Sequence, residues 1–246
     1  MMIKKILLHA IMLLPCSYLF AQKNILPSSG QFVDIAATIG NSQQSFAGSY
    51  VYNWQFGKKK KWELGTGIRA TSTFGHNLNY ITAGPARLTR GTDIPFLVVA
   101  SSQKTENWDT LAVSNPYTTS FNLTFNLGYN FTRKLFGGCN IDVVGFTVGK
   151  HTSATLTDKG ISVAEPIAKP TTFNLLLTGD NDLGSLNSEF FLKYHLNNHF
   201  SLRAVYQFLF TEYRTTTIHQ TTSDGTDIDR FRNKANNFGI GVSYSL

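Results

Sequence analysis

The sequence is poor in cysteine and in charge. It contains two cysteines among 246 residues, and Asp, Glu, Lys and Arg together make up 15%. Cys16 lies in an apolar N-terminal segment, so cleavage of that segment would leave Cys139 alone. A single cysteine cannot form an intrachain disulfide or build a metal site of several thiolates. A metal site of the cysteine type is thereby excluded, and we expect no metal and no cofactor in this protein.

The sequence also lacks a long apolar run. The longest largely apolar stretch, residues 6–20, is too short for a membrane-spanning helix, which needs about 20 apolar residues. It follows Lys4 and Lys5 and precedes Ala21, a small residue suited to a cleavage site. This order is typical of a secretory signal peptide, which we place at residues 1–21.

A lipoprotein signal is the alternative interpretation of this N-terminal segment. Leu13, Leu14 and Pro15 precede Cys16, and a lipoprotein signal would use that cysteine.

The rest of the chain, residues 22–246, is predicted to form a single domain. Removal of residues 1–21 takes away two lysines, so the net charge falls by two, from +7 to +5. This mild excess lacks the clustered arginines of a nucleic-acid groove, so we expect no nucleic-acid partner.

What the sequence does contain is strict alternation of apolar and polar residues. From residue 121 to residue 131 every second residue is Phe, Leu or Tyr, and the residues between them are Asn, Thr or Gly. A period of two places one set of side chains on each face of a β-strand. The predicted strands are 33–39, 46–56, 62–74, 121–131, 135–148, 186–196, 200–210 and 238–246.

The connections between these strands alternate in length. Tight links follow the second, fourth and sixth strands, and long links follow the third, fifth and seventh; the first link, residues 41–45, is short where the pattern predicts a long one. One rim of the sheet would then carry turns and the other would carry loops, as in membrane barrels. The predicted fold is all-β: an eight-stranded antiparallel up-and-down transmembrane β-barrel.

The composition of the two faces decides which one points outward. The polar faces of the fourth and eighth strands hold only Asn, Thr, Gly and Ser, whereas a soluble lipocalin-like barrel needs a charged outer surface. The apolar faces are bulky and aromatic, which suits lipid. Aromatic residues are predicted to form two interfacial girdles. One comprises Trp54, Phe56, Trp62, Tyr129, Phe131, Phe200 and Tyr244; the other comprises Phe46, Phe74, Phe121 and Phe210.

The polar faces then define the interior of the barrel. An eight-stranded barrel is only wide enough for its own side chains, and charges of both signs inside it should pair. We expect no wide pore; a narrow channel for ions or small apolar solutes is the alternative. The predicted interior polar network comprises Asp34, Glu63, Arg69, Asp142, Glu189, Lys193, His195 and Arg203.

The signal peptide, the eight strands and the C-terminal run from Gly239 to Leu246 resemble the small outer-membrane β-barrel family, which includes the OmpA transmembrane domain, OmpX and PorT-like proteins. The resemblance implies the outer membrane of a Gram-negative bacterium, with extracellular loops and periplasmic termini. It also implies recognition of the last strand by the barrel-assembly machinery, with Tyr244 and Leu246 as the signal. Leu246 replaces the usual terminal Phe, so we expect recognition to rest more on Tyr244. The implied partners are outer-membrane lipid and lipopolysaccharide.

Three further segments could carry chemistry. His151 and Ser153 are similar to the His and Ser pair of outer-membrane lipid A deacylases, but the rest of that signature is absent. Lys58 to Lys61 form a basic turn that could contact anionic phosphate groups of the inner leaflet. The apolar stretch of residues 94–99 either folds over the barrel mouth or contacts a partner. We expect a non-enzymatic protein with a structural, adhesion or secretion-accessory role. The long loops would carry this role by binding a protein or a surface ligand.

Overall fold

A computed structural model of the chain describes residues 30–92, 94, 101–158, 160–177, 179–222 and 225–246. The predicted signal peptide at residues 1–21, and residues 95–99 of the apolar loop stretch, lie outside the described residues. The described part is dominated by strands, and every strand pair in it is antiparallel. No helix within it is long and apolar enough to cross a membrane.

Eight strands of 10–16 residues pair in a closed ring. They are β1 (Gln31–Gly40), β2 (Gln44–Phe56), β3 (Trp62–Phe74), β6 (Tyr117–Asn130), β7 (Leu135–Gly149), β11 (Leu186–His195), β12 (Phe200–Arg214) and β15 (Arg230–Ser245). Each pairs with the next in this order, and β15 pairs with β1, so the ring has no free edge. Each contains most of one predicted strand, but β12 continues to Arg214 and β15 begins at Arg230.

Alternation along these strands sorts the side chains into an inner and an outer set. On β6, Asn122 and Thr124 are almost fully buried, whereas Phe121 and Leu123, which alternate with them, are 43% and 51% exposed. The same period of two runs along β1, β2, β3 and β11. The ring therefore has a polar interior and an apolar exterior, the reverse of a soluble barrel.

A β-bulge interrupts the alternation of inward and outward side chains along β7. Leu123 pairs with Val144 but the next residue, Thr124, pairs with Asp142, so one extra residue is accommodated there. Such a bulge shifts the inward and outward phases of a strand. Ile141 on one side of it and Val144 on the other therefore both lie on the outer face. In a regular strand, residues three positions apart would lie on opposite faces.

The two rims of the ring differ. One rim, which we call the turn end, carries the tight links at residues 57–61, 131–134 and 196–199. The other, the loop end, carries residues 75–116, 150–185 and 215–229, together with the short link at residues 41–43. The alternation of short and long links predicted from the sequence, including its one exception, is confirmed.

The long loops fold into additional strands that the sequence analysis did not predict. These include β4 (Leu78–Thr82), β5 (Thr110–Val113), β8 (Thr152–Asp158) and β9 (Ile161–Pro170). β12 and β15 extend past the ring at the loop end, and there β9 pairs with β12 and β4 pairs with β15. β5 pairs with β4 and with β8, and β8 pairs with β9, so these strands form a second closed cycle on the loop end. Its buried core consists of Leu78, Tyr80, Leu111, Val113, Ala154, Leu156, Ala168, Tyr213 and Phe231. We call this assembly the cap.

Short elements complete the loop end. They are α1 (Ala86–Thr89), the 3-10 helices Thr105–Asn107 and Gly179–Asn181, and the strands β10 (Phe173–Leu175), β13 (Gln220–Thr221) and β14 (Asp227–Ile228). β10 pairs with β7 and extends the wall beside the bulge. The total of fifteen strands in the described residues thus exceeds the eight predicted, because seven arise within the loops.

One aromatic prediction is wrong. Phe210 was assigned to the girdle at the loop end, but it is only 5% exposed and the Arg232 guanidinium lies 4.6 Å from the centre of its ring. The reason is that β12 and β15 continue past the ring, where both of their faces are covered. The other three aromatic residues of that girdle, Phe46, Phe74 and Phe121, are exposed as expected.

We predict that Phe231→Ala will loosen the cap while leaving the ring intact. Phe231 is fully buried in the cap core, and truncating such a side chain costs about 3–5 kcal/mol. Hydrogen exchange in detergent should become faster at residues 78–82 and 110–113 and stay slow in β2 and β3. Phe238→Ala, on the same strand but 67% exposed, is the control. Equal exchange in the two variants would contradict a cap with its own core.

Candidate functional site

All eight side chains predicted for the interior network are buried inside the ring. None of them is more than 9% exposed. They come from five of the eight ring strands, and the closed pairing of these strands brings residues together that are up to 169 positions apart. Six of the eight form one connected set of ion pairs.

Arg203 is the centre of this set. Its Nη1 lies 2.9 Å from Oδ2 of Asp34, and its Nη2 donates a hydrogen bond of 3.1 Å to Oε2 of Glu189. A guanidinium can serve two carboxylates at once because its five N–H donors point in fixed directions. Arg203 on β12 thus bridges two carboxylates from β1 and β11, which are not paired with each other.

Arg69 extends the set on the other side of Glu189. Its Nη1 lies 3.5 Å from Oε1 of Glu189, and its Nε donates to Oδ1 of Asp142 at 2.9 Å. Asp142 also accepts hydrogen bonds from the side chain of Asn122 at 2.7 Å and from the backbone amide of Asn187 at 2.9 Å. The bulge in β7 places Asp142 in the inward phase that these contacts require.

Lys193 closes the set at the turn end. Its Nζ lies 3.8 Å from Oδ1 of Asp34 and 3.5 Å from the centre of the Phe32 ring. Arg203 is also stacked, with its Cζ 4.1 Å from the centre of the Phe191 ring. Three carboxylates and three cations therefore alternate from Asp142 to Lys193, and the formal charges of the six cancel.

The inward aromatic rings were missed in the sequence analysis, which described the interior as small and polar. Phe32, Phe136 and Phe191 are each at most 6% exposed. The signal was present, because Phe32 is two residues from Asp34 and Phe191 is two residues from both Glu189 and Lys193, which places them on the same face. A cation held against a desolvated ring gains about 2 kcal/mol, so these rings stabilise the buried charges.

Glu63 and His195 lie next to this set without joining its ion pairs. Glu63 accepts hydrogen bonds from the side-chain amides of Asn53, Gln55 and Asn130 at 2.9–3.2 Å, and Nδ1 of His195 lies 2.8 Å from Oγ of Ser201. A cavity of about 20 Å³ between Glu63, Lys193 and His195 is large enough for about one water molecule. It is far too small for a sugar.

Uncharged side chains fill the interior between the ion pairs and the cap. Oε1 of Gln207 accepts hydrogen bonds from Thr38 at 2.7 Å and Ser45 at 3.0 Å, and it lies 2.8 Å from the amide of Asn237. All four side chains are buried. The interior is therefore packed from the turn end up to the cap core.

A second charged cluster joins the cap to the ring. Glu212 binds Arg230 and Arg232 at 2.8–3.0 Å, and Asp180 binds Arg90 at 2.8 Å and Lys234 at 3.1 Å. Burial tends to raise the pKa of Asp180, but the nearby Lys234 and Arg90 lower it below its ordinary value. The sequence analysis missed this cluster because its members lie in separate loops and in the unpredicted extensions of β12 and β15.

Glu165 fastens two loops of the cap together. Its carboxylate accepts hydrogen bonds from the backbone amides of Ile167, Thr216, Thr217 and Ile218 at 3.0–3.3 Å. Burial tends to raise the pKa of Glu165, but these backbone hydrogen bonds lower it below its ordinary value. We call this contact the Glu165 clamp, and its hydrogen bonds favour the ionised form of the carboxylate.

The structure does not assemble the residues that suggested a hydrolase. His151 and Ser153 are both exposed, and Oγ of Ser153 lies 3.5 Å from Oγ of Ser114. Among the described residues, no hydrogen bond joins His151 to Ser153, and no group of three or more His, Cys, Asp or Glu side chains is placed to hold a metal ion.

The two residues of the predicted assembly signal lie on the outside of the turn end. Tyr244 and Leu246 are 40% and 52% exposed. The Tyr244 ring packs against Phe200 at 5.1 Å and His199 at 5.6 Å between ring centres.

No protein-family model matches the sequence, and no curated protein matches it either. Among solved structures, the chain is similar to Neisserial surface protein A, with a TM-score of 0.35 and 10% identity over 89% of this chain and 98% of that one. It is also similar to Ail, the attachment invasion locus protein of Yersinia pestis, with a TM-score of 0.32 and 11% identity over 88% and 98%. A third is the N-terminal β-barrel domain of Pseudomonas aeruginosa OprF, with a TM-score of 0.33 and 10% identity over 88% and 97%. These are outer-membrane β-barrel proteins, the class that the sequence resembles.

We predict that Arg203→Met will destabilise the protein by about 3–5 kcal/mol, because it leaves Asp34 and Glu189 buried without their shared cation. Arg214→Gln is the control, since its pair with Asp229 is largely exposed and is worth about 0–1 kcal/mol. Denaturant unfolding of the refolded protein in detergent measures both. Similar midpoints for the two variants would show that the interior ion pairs do not stabilise the ring.

We predict that the Glu165 clamp will open in acid. The folded pKa of Glu165 lies below its unfolded value, so the clamp contributes fully above the ordinary carboxyl pKa of about 4.3 and is lost as the pH falls through the lower folded pKa. Amide NMR signals of residues 216–218 should move between pH 5 and more acidic values. Glu165→Gln should already give the acid-like signals at neutral pH; if its signals match those of the wild type at neutral pH, the clamp does not depend on charge.

Proposed function

We propose that this chain is an integral protein of the outer membrane of a Gram-negative bacterium, and that the ring of eight strands is its transmembrane wall. The observation that carries the proposal is the distribution of polarity. Six charges lie in ion pairs within the ring, while side chains such as Ile68, Leu123 and Phe146 cover its outside at 50–58% exposure. Such an apolar exterior is stable in hydrocarbon and would aggregate in water.

The dimensions of the ring support this proposal. Its shortest strands have ten residues, and ten residues at about 3.3 Å each, tilted near 45°, cover about 23 Å. That length is close to the apolar band of about 25 Å in outer-membrane barrels. The even number of strands returns both termini to the turn end, which we place in the periplasm, so the cap is extracellular.

The interior argues against a wide pore. Ion pairs, inward aromatic rings and hydrogen-bonded amides fill it, and the cavity of about 20 Å³ at its turn end has room for about one water molecule. The cap core then covers the loop end of the ring. A narrow ion path would require Arg203 or Arg69 to leave its carboxylates, and no contact in the described residues favours that state.

The cap is the part that we propose carries the role of the protein at the cell surface. It is folded around its own core, so it presents a defined surface rather than mobile loops. On the hairpin of β8 and β9, Ile161 is 70% exposed, and Val163 and Ile167 are 47% and 50% exposed. Exposed apolar side chains on a folded loop suit binding of a protein or surface ligand, in an adhesion, structural or secretion-accessory role. We propose no enzymatic activity.

The turn end carries the proposed signal for assembly. Tyr244 and Leu246 present an aromatic and an apolar side chain on the outer face of the last strand, where the barrel-assembly machinery would contact them. Lipid and lipopolysaccharide would then surround the apolar wall.

We predict that the refolded protein will insert into liposomes without making them permeable to sugars. Deleting residues 78–113 should expose the top of the ring but leave the liposomes impermeable, because the interior remains packed below the cap. Swelling of the liposomes in arabinose measures permeability, with a general porin as the positive control. Swelling with the wild type would contradict the closed interior, and a wild-type protein that stays monomeric in water without detergent would contradict membrane insertion.

A further inference from the structure

Two neighbouring turns gather six cations on one side of the turn end. Lys58, Lys59 and Lys60 in the first turn, and Arg133 and Lys134 in the second, are exposed, and Lys61 is half-buried. We call these six residues the basic rim. The sequence analysis noted the first turn alone, because the residues of the second lie about 70 positions further along the chain.

Strand pairing places the two turns side by side. β3 begins directly after the first turn, β6 ends directly before the second, and Trp62 pairs with Tyr129. The backbone amide of Asn130 donates to the carbonyl of Lys61 at 2.8 Å, and Nζ of Lys61 lies 5.7 Å from the centre of the Tyr129 ring. The six positive charges therefore form one surface.

The basic rim has no internal counter-charge. In the described part of the chain, no carboxylate lies within ion-pair distance of any of its six cations. The nearest acid in sequence, Glu63, is buried and already bound by three side-chain amides. The charged cluster of the cap, in contrast, pairs its cations with Asp180 and Glu212.

One lysine of the basic rim is kept at a conformational cost. Lys60 has a φ of 48°, in the left-handed region that Gly or Asn adopts more readily, and its amide closes the turn on the carbonyl of Gly57 at 2.9 Å. A glycine would suit this position better if the turn served only to connect two strands. Lysine at this position keeps the run of four cations unbroken in spite of that cost.

Aromatic residues fix the depth of the basic rim. Trp54, Phe56 and Trp62 are each 45–54% exposed on the outer face directly below the first turn, and Phe131 is 50% exposed beside the second. Such aromatic belts lie at the level of the lipid headgroups. From this position and charge, we propose that the basic rim binds the headgroups of anionic phospholipids in the leaflet at the turn end. The proposal rests on the membrane insertion proposed above.

Quenching of tryptophan fluorescence tests the proposal. Trp54 and Trp62 lie at the basic rim, and Trp108→Phe removes the third tryptophan, which lies in the cap. The full mature chain carrying Trp108→Phe is refolded into vesicles that contain either brominated phosphatidylglycerol or brominated phosphatidylethanolamine. We expect stronger quenching by the anionic lipid at equal mole fraction, and loss of this preference at high salt because exposed charges are then screened.

Two matched triple variants locate the effect. Lys58→Gln/Lys59→Gln/Lys60→Gln should lower the preference for the anionic lipid by about fivefold or more, which corresponds to the contribution of one cation near an anionic surface. Lys104→Gln/Lys150→Gln/Lys169→Gln removes the same charge from exposed positions of the loop end and should leave the preference unchanged. Equal quenching by both lipids in the wild type, or an equal effect of the two triple variants, would overturn the proposal.

Lys60→Gly separates binding from folding. It should raise the melting temperature, because glycine adopts the left-handed φ of this position without strain. It should also weaken the preference for the anionic lipid, and an unchanged preference would contradict a contribution of the Lys60 charge to lipid binding. Failure of membrane insertion gives a different result, because the wild type would then show no quenching by either lipid. A preference for free phosphate or for an anionic polymer over the brominated lipid, measured by competition, would assign the basic rim to a soluble ligand and overturn the lipid proposal.

Discussion

Buried charge inside a closed ring is the constraint on which the rest of this structure depends. An apolar exterior leaves only the interior and the rims for ionised groups, and an unpaired charge in the interior would cost several kcal/mol. The alternation of carboxylates and cations from Asp142 through Arg203 to Lys193 meets this constraint. It requires exact strand register, because a shift of one residue would turn each of these side chains toward the outer face.

The same constraint explains the local irregularities of the ring. The bulge at Asp142 changes the phase of β7, so that Ile141 and Val144 both face outward while Asp142 reaches Arg69. Phe32 and Phe191 occupy inward positions beside Lys193 and Arg203, where their ring faces replace part of the water that the cations lose. Packing of this kind fills the interior, so the regions that can bind other molecules lie at its two ends.

Sequence alternation predicted the ring well because ring strands such as β2, β3 and β6 each have one apolar face and one polar face over ten or more residues. The same signal placed the eight interior polar residues on the buried face. It could not predict the cap, since β4 and β5 are four or five residues long and their apolar positions, such as Leu111 and Val113, have meaning only once distant segments pair with them. Phe210 was misplaced for a related reason: the sequence gives no sign that β12 continues beyond the wall into the cap.

The two ends of the ring differ in how their charges are compensated, and this difference bears on orientation. At the loop end, Arg90 and Lys234 pair with Asp180, and Arg230 and Arg232 pair with Glu212, so this cluster is compensated by its own carboxylates. At the turn end, the basic rim is exposed and carries a single sign. Exposed charges of one sign are hydrated but repel one another, and an external partner of opposite sign relieves that repulsion. An anionic leaflet beneath the aromatic residues of the turn end would supply that partner and would hold the ring at a fixed depth, with the cap directed away from it.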